Sequence, residues 1–144
     1  MPQTPPENSQ RVIPYLTYQD APAAINFICN AFGFTEDTRM PGPDGNIMHA
    51  NLKYDGNAVM LASQVEGSSY RAPGNVNAPT GFVFMYVDDV DAHHAQAVKN
   101  GATIVVDLED QFWGERTYTR EDPEGGRWMF STVVSEFDPA NIPG

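Results

Sequence analysis

A chain of 144 residues is long enough to bury its own core, and 41% hydrophobic with 11% aromatic residues marks a globular sequence. Nineteen acidic against eight basic residues give a net charge of −11, which disfavours nucleic acid, a partner that needs a basic stripe. The single cysteine rules out an intrachain disulfide or thiolate cage, and no apolar run approaches the ~20 residues of a membrane-spanning helix.

Residues 1–10, polar and Pro-rich, read as a disordered leader without the basic and apolar regions of a signal peptide. A soluble, cytoplasmic protein is expected. "RVIPYLTY" (11–18) is rich in strand formers, Asp20 caps a helix over 21–32, and Gly33 ends it. Cys29 falls within that helix among apolar residues, the setting of a buried, inert thiol. "FTEDTRM" reads as a short strand, "PGPDG" (41–45) as a turn, and "NIMHANLKY" (46–54) alternates as a strand. After the Asp55-Gly56 turn, "NAVMLAS" (57–63) is a further strand, which completes the order βαβββ.

Residues 64–79 are rich in Gly, Ser, Pro and Asn, lack periodicity, and read as a linker. The order then repeats. "GFVFMYV" (81–87) is a strand, and "DDVDAHHAQAVKNGA" a helix capped near Asp89 and stopped at Gly101. "TIVVD" and "ERTYTRE" (115–121) are strands, "DPEGG" turns, and "RWMFST" closes the unit. "YDGNAVMLAS" and "DPEGGRWMFST" echo each other as the closing pieces of the two units. The chain is therefore a tandem repeat: module one over 11–63, the linker over 64–79, module two over 80–134, and a tail over 135–144. The fold class is α+β, with curved mixed sheets forming a cleft. One helix covers one face of each sheet, and the uncovered faces are where a ligand would lie.

A tandem βαβββ chain ending in "ERTYTREDPEGGRWMF" resembles the vicinal oxygen chelate superfamily of glyoxalases, bleomycin-resistance proteins and ring-cleaving dioxygenases, over about residues 11–132. Within it the glyoxalase/bleomycin-resistance-like group is the nearest in pattern. Metalloenzymes of the superfamily place His, Gln or Glu ligands on the first and last strand of each unit. The resemblance puts those positions at Ile13, Met60, Phe82 and Met129. Ile and Phe have no donor atom, and a thioether is a soft, weak one. No metal or other cofactor is expected.

Strand alternation places Ile13, Tyr15 and Thr17 on one face, with Met60, Phe82, Phe84, Tyr86 and Met129 in equivalent places. Leu16, Val59, Leu61, Met85, Val87, Trp128 and Phe130 have the other parity and should pack against the helices. His49 and Asn51 are expected on the first uncovered face, and Arg116, Tyr118 and Arg120 on the second. His49 could act as a base or hydrogen-bond a ligand. Arg116 and Arg120 could clamp a carboxylate or pair with nearby Glu115, Glu121 or Asp122. Trp113, in the loop before that strand, is expected at the cleft rim. His93 and His94 are adjacent, about 100° apart on a helix, and so do not form a metal pair. His94 is expected toward the sheet and His93 toward solvent.

The candidate ligand-binding residues are thus His49, Met60, Phe82, Phe84, Trp113, Arg116, Tyr118 and Met129, around an apolar, aromatic floor suited to a flat organic ligand. A metal-independent binding protein for an aromatic or cationic drug-like molecule is the first expectation, in the manner of the bleomycin-resistance members. A lyase, isomerase or related enzyme using His49, Tyr118 and an arginine is the alternative. A homodimer is implied by the resemblance.

Overall fold

The computed structural model describes residues 9–75 and 81–143. The first eight residues of the expected leader, and residues 76–80 at the linker's end and the start of the second module, lie outside the described residues. At Gln10 the chain is already held: its amide donates to the Ala58 carbonyl at 3.0 Å and accepts from the Ala58 N–H.

The first module runs β1 (Tyr15–Tyr18), α1 (Ala21–Phe32), β2 (Thr35–Pro41), β3 (Ile47–Tyr54) and β4 (Asn57–Ser63). The second runs β5 (Val83–Tyr86), α2 (Val90–Lys99), β6 (Thr103–Asp110), β7 (Glu115–Glu121) and β8 (Arg127–Val133). The sheets have the orders β1-β4-β3-β2 and β5-β8-β7-β6. In each, the first strand lies parallel to the last and the other pairs are antiparallel. The repeat in the sequence is a repeat in the fold.

Local chemistry sets the boundaries. The Asp20 side chain accepts the Ala23 N–H to cap α1, and Asp89 accepts that of Ala92 to cap α2. Gly33 ends α1 at φ 83°, a left-handed conformation that costs glycine nothing. Asp55 and Gly56, both at positive φ, turn β3 into β4.

The two modules share one core. Phe32 of α1 packs at a tilt against Trp128 and Phe130, both from β8, with ring centroids 5.2 and 4.9 Å away, and Phe34 meets Trp128 edge-on at 5.7 Å. Leu61, Trp128 and Phe130 are buried as their parity requires, with Leu16 and Met85 packed against them. The helix-covered faces therefore meet inside the molecule, and the other faces are left open. Tyr15, Phe82, Phe84 and Tyr86 remain 42–61% exposed on them.

The expected linker is not featureless. Ala72 is buried, its N–H bonded to Gln64 Oε1 at 2.7 Å, and Pro73–Asn75 form a 3₁₀ turn. Among the described residues no helix is long and apolar enough to cross a membrane.

Candidate functional site

On the open face of the first sheet, β3 and β4 pair so that Asn51 lies opposite Met60, and the period-two alternation of a strand puts His49 on the same face. β1 joins through Tyr15 beside Met60. The Tyr15 hydroxyl meets His49 Nδ1 at 2.9 Å, with ring centroids 5.6 Å apart. His49 therefore has an orienting partner, a phenol rather than a carboxylate. Asn51 Oδ1 is buried without a hydrogen-bond partner among the described residues.

On the second sheet, Phe84 pairs with Met129 and Tyr86 with Ser131. Phe84 and Tyr86 meet edge-to-face at 5.1 Å. Glu115 is held by Tyr86, whose hydroxyl donates at 3.0 Å, and by Ser131 Oγ at 2.8 Å. Its hydrogen bond to that carboxylate holds the Tyr86 phenol above its ordinary range.

Between the two edge strands β1 and β5 lies a cavity of about 590 Å³. Pro14 to Tyr18 form one wall and Gly81 to Phe84 the other, with Tyr70, Arg71, Pro73, Asp122, Gly126, Arg127 and Trp128 closing it. A smaller cavity of about 410 Å³, lined by Tyr15, Thr17, Ala62, Ser63, Val65, Ser68 and Tyr70, adjoins it. Tyr15, Thr17 and Tyr70 belong to both.

The structure corrects three expectations about side-chain placement. Tyr118 and Arg120 are fully buried on the helix side of β7. The antiparallel register about the 122–126 turn sets Tyr118 opposite Phe130 and Arg120 opposite Trp128, so both share the core face. Tyr118 bonds His93 Nδ1 at 2.5 Å, and burial pushes its phenol well above the ordinary value. It cannot serve as an open-face acid or ligand contact. Arg116 lies on that side too, bonded to Asp110 at 2.6 Å and Asp91 at 2.9 Å. Those pairings raise its own pKa and lower that of Asp110. Thr117 and Thr119, opposite Ser131 and Met129, take the open-face positions instead.

Of the two histidine expectations, His94 does lie toward the sheet, against β6 and β7, but His93 does not face solvent. His93 is buried, its Nε2–H donating to the Phe32 carbonyl at 2.8 Å across the module boundary. His94 lies toward Asp107 at 2.7 Å and Arg120 at 2.6 Å. Trp113 is half-buried against Phe112, with a ring separation of 5.0 Å, and lines neither cavity. It sits by the β6–β7 turn, at the end of the sheet remote from Arg127.

Of the remaining expected residues, Phe82 and Phe84 line the larger cavity, while His49, Met60 and Met129 lie on the open faces beside it. Tyr70, Arg71 and Arg127 were not among the candidates. Arg127 was legible as a face-mate of Met129 by strand parity. Tyr70 and Arg71 were not, because a Gly/Ser/Pro/Asn segment has no period from which to place a side chain.

The donor set does not suit a divalent ion. Met60 and Phe82 are on the open surface with no oxygen or nitrogen donor, and Ile13 and Met129 complete the same set. Among the described residues no group of three or more His, Cys, Asp and Glu is gathered as ligands.

A sequence model of the Glyoxalase/Bleomycin resistance protein/Dioxygenase superfamily matches residues 11–130, and the chain belongs to that superfamily. It is 39% identical over 132 residues to the uncharacterized protein Rv0887c of Mycobacterium tuberculosis, covering 90% of this chain and 78% of that protein. Among solved structures it is similar to TioX from Micromonospora sp. ML1, with 29% identity and TM-score 0.69, over 90% of this chain and all of that one. A glyoxalase/bleomycin resistance protein from Streptomyces sp. CB03234 shares the fold at 22% identity and TM-score 0.62, covering 83% of this chain and 97% of the other.

Proposed function

We propose that this member of the superfamily is a cytoplasmic, metal-independent binding protein that captures a small aromatic molecule, in the manner of the bleomycin-resistance proteins, and acts as a homodimer. The aromatic seam between β1 and β5 carries this reading. A cavity of about 590 Å³ walled by Tyr15, Tyr70, Phe82 and Phe84 falls within the roughly 300–1,000 Å³ of small-molecule sites. Aromatic rings at such a wall bury large areas and stack on flat ligands. The open sheet faces support the homodimer. Large exposed apolar side chains arrayed along two sheet faces are the kind of surface a second copy covers.

A cationic ligand, the other kind of drug-like molecule expected, has less support. Net charge does not locate charges. Glu115 on the open face is engaged by Tyr86 and Ser131, and Asp122 at the cavity wall is engaged by four donors.

One observation favours a second reading. The Tyr15–His49 pair on the open face could move a proton to or from a bound substrate, as a lyase or isomerase requires. Tyr118 and Arg116, placed elsewhere, no longer support that chemistry.

The deciding experiment titrates the protein with flat aromatic compounds, follows tryptophan emission, and recovers each compound for mass analysis. Trp128, at the cavity wall, is the reporter. Saturable binding with the compound unchanged supports capture. A compound returned altered, with the alteration lost in His49→Ala, moves the assignment to the enzyme. No binding across the set rejects both.

A further inference from the structure

We propose that the cavity at the β1–β5 seam selects an anionic planar ligand, its carboxylate or equivalent group held by Arg71 and Arg127. This rests on the small-molecule reading and gives the ligand a charge.

The observation is that two arginines converge on one cavity of an acidic molecule. Arg39 is paired with Glu36 at 2.7 Å and Arg116 with Asp110 and Asp91, while Arg120, within 3.8 Å of Asp107, is fully buried and lines neither cavity. The Arg71 guanidinium donates to the backbone carbonyls of Ser68 and Tyr70. Arg127 has one loose contact, Glu121 at 3.7 Å, and its Nε has no partner among the described residues. Both line the same cavity.

The acidic residue on that wall does not cancel them locally. Asp122 accepts from the Tyr18 hydroxyl, Trp128 Nε1 and the N–H groups of Glu124 and Gly126, so its oxygens face inward to fixed donors. A ligand entering the seam meets aromatic rings and two guanidiniums with donors in reserve. A guanidinium presents a planar fork that matches a carboxylate, and such charge-assisted bonds are roughly twice as strong as neutral ones. A flat aromatic acid satisfies both kinds of wall at once.

The test compares 2-naphthoate with 2-naphthamide, which share a ring system and differ in charge, by calorimetry at low salt. Wild-type protein should bind naphthoate about tenfold or more tightly than the amide, as hydrogen bonds between charged groups allow, and added salt should narrow the gap. Arg127→Gln and Arg71→Gln should each reduce the preference severalfold. Arg116→Gln, the same charge change outside the cavity, should leave it intact, with circular dichroism confirming that all three variants fold. Equal binding of the two probes overturns the anion preference while leaving small-molecule capture standing. Loss of preference in Arg116→Gln as large as in Arg127→Gln also overturns it, since the effect would then be one of net charge. Binding of neither probe overturns this inference and the capture reading together.

Discussion

The Tyr18 hydroxyl donates to Asp122 Oδ2 at 2.5 Å, which ties β1 of the first module to the 122–126 turn of the second. Asp122 is itself buried and also accepts from Trp128 Nε1 at 3.1 Å and from the backbone of its own turn. Glu124, two residues on, accepts the N–H groups of Gln19 and Asp20 at the entrance to α1. The acidic turn is a clamp between modules, and it forms one end of the cavity. The geometry of the β1–β5 cavity therefore depends on the fit of two repeats, and each repeat alone would lack a wall.

Removing that acceptor should be costly. Asp122→Ala leaves the Tyr18 hydroxyl and Trp128 indole N–H buried without a partner, at about 1–3 kcal/mol for each orphaned group. Urea unfolding should show a loss of about 3 kcal/mol or more. Tyr18→Phe should cost less, and the double variant should fall short of the sum, because the two side chains share one interaction. Strict additivity in that cycle would show that the Tyr18–Asp122 hydrogen bond contributes nothing.

Gly126 makes the clamp sensitive to a single methyl. A Cβ there would lie 2.3 Å from Asp122 Oδ2, closer than any side chain tolerates. Gly126→Ala should lower the thermal midpoint by several degrees, as a loss of about 1–2 kcal/mol does in a chain of this size. Gly125→Ala tests a different effect, since φ 87° opposes the substitution although its Cβ meets nothing within 4 Å. An unchanged midpoint in Gly126→Ala would mean that Asp122 can move without loss.

His93 gives stability a pH dependence. Burial lowers its pKa below the ordinary 6.5, against a smaller raising effect from the Phe32 carbonyl. The folded protein therefore binds this proton less readily than the unfolded chain. Stability from the neutral ring is fully present above pH 6.5 and declines as pH falls through 6.5 toward the lowered folded value. Chemical denaturation at a series of pH values should show this slope in wild type and a smaller one in His93→Gln. Equal slopes would assign the dependence to carboxylates instead.

The elements were legible because their signals are local. Asp20 and Gly33 bound α1 as expected, and the Asp55-Gly56 turn fixed the β3–β4 register, which placed His49 and Met60 on the open face. Tyr118 was misplaced for a nonlocal reason. Alternation within β7 is compatible with either parity, and the register about the 122–126 turn, pairing Glu121 with Arg127, decides between them. Counting across that turn from the core residue Phe130 would have put Tyr118 inside. His93 has no such remedy, since its partner is a carbonyl 61 residues away in another module. The role of Asp122 was hidden for the same reason: a tight acidic turn reads alike whether or not a buried tyrosine from 104 residues away points into it.

Metal should be irrelevant to both fold and binding. The open-face positions Met60, Phe82 and Met129 offer no hard donor, and a metal that binds the native state raises its stability by mass action. Thermal unfolding with added Zn²⁺, Ni²⁺ or Mn²⁺, and after chelation, should give one common midpoint. Ligand titrations should agree under the same conditions. A midpoint that rises with metal concentration, together with tighter ligand binding, would contradict the metal-independent assignment.

The aromatic wall should separate binding from stability. Phe82 is 61% and Phe84 42% exposed, so truncating either removes little buried area, and surface changes of this kind usually stay within about 0.5 kcal/mol. Phe84 also touches Tyr86 edge-on, worth about 0.5–1.5 kcal/mol beyond area. Phe82→Ser should therefore be near-neutral for unfolding and Phe84→Ser slightly destabilising, while both weaken an aromatic ligand by about tenfold, the effect of losing one stacked ring of about 1–2 kcal/mol. Trp128→Phe is the opposite case, since that side chain is buried and bonded to Asp122; it should destabilise the fold before it affects the ligand. If Phe82→Ser and Phe84→Ser lose stability and leave affinity intact, the exposed rings serve packing between subunits, and the ligand site must be sought away from the β1–β5 seam.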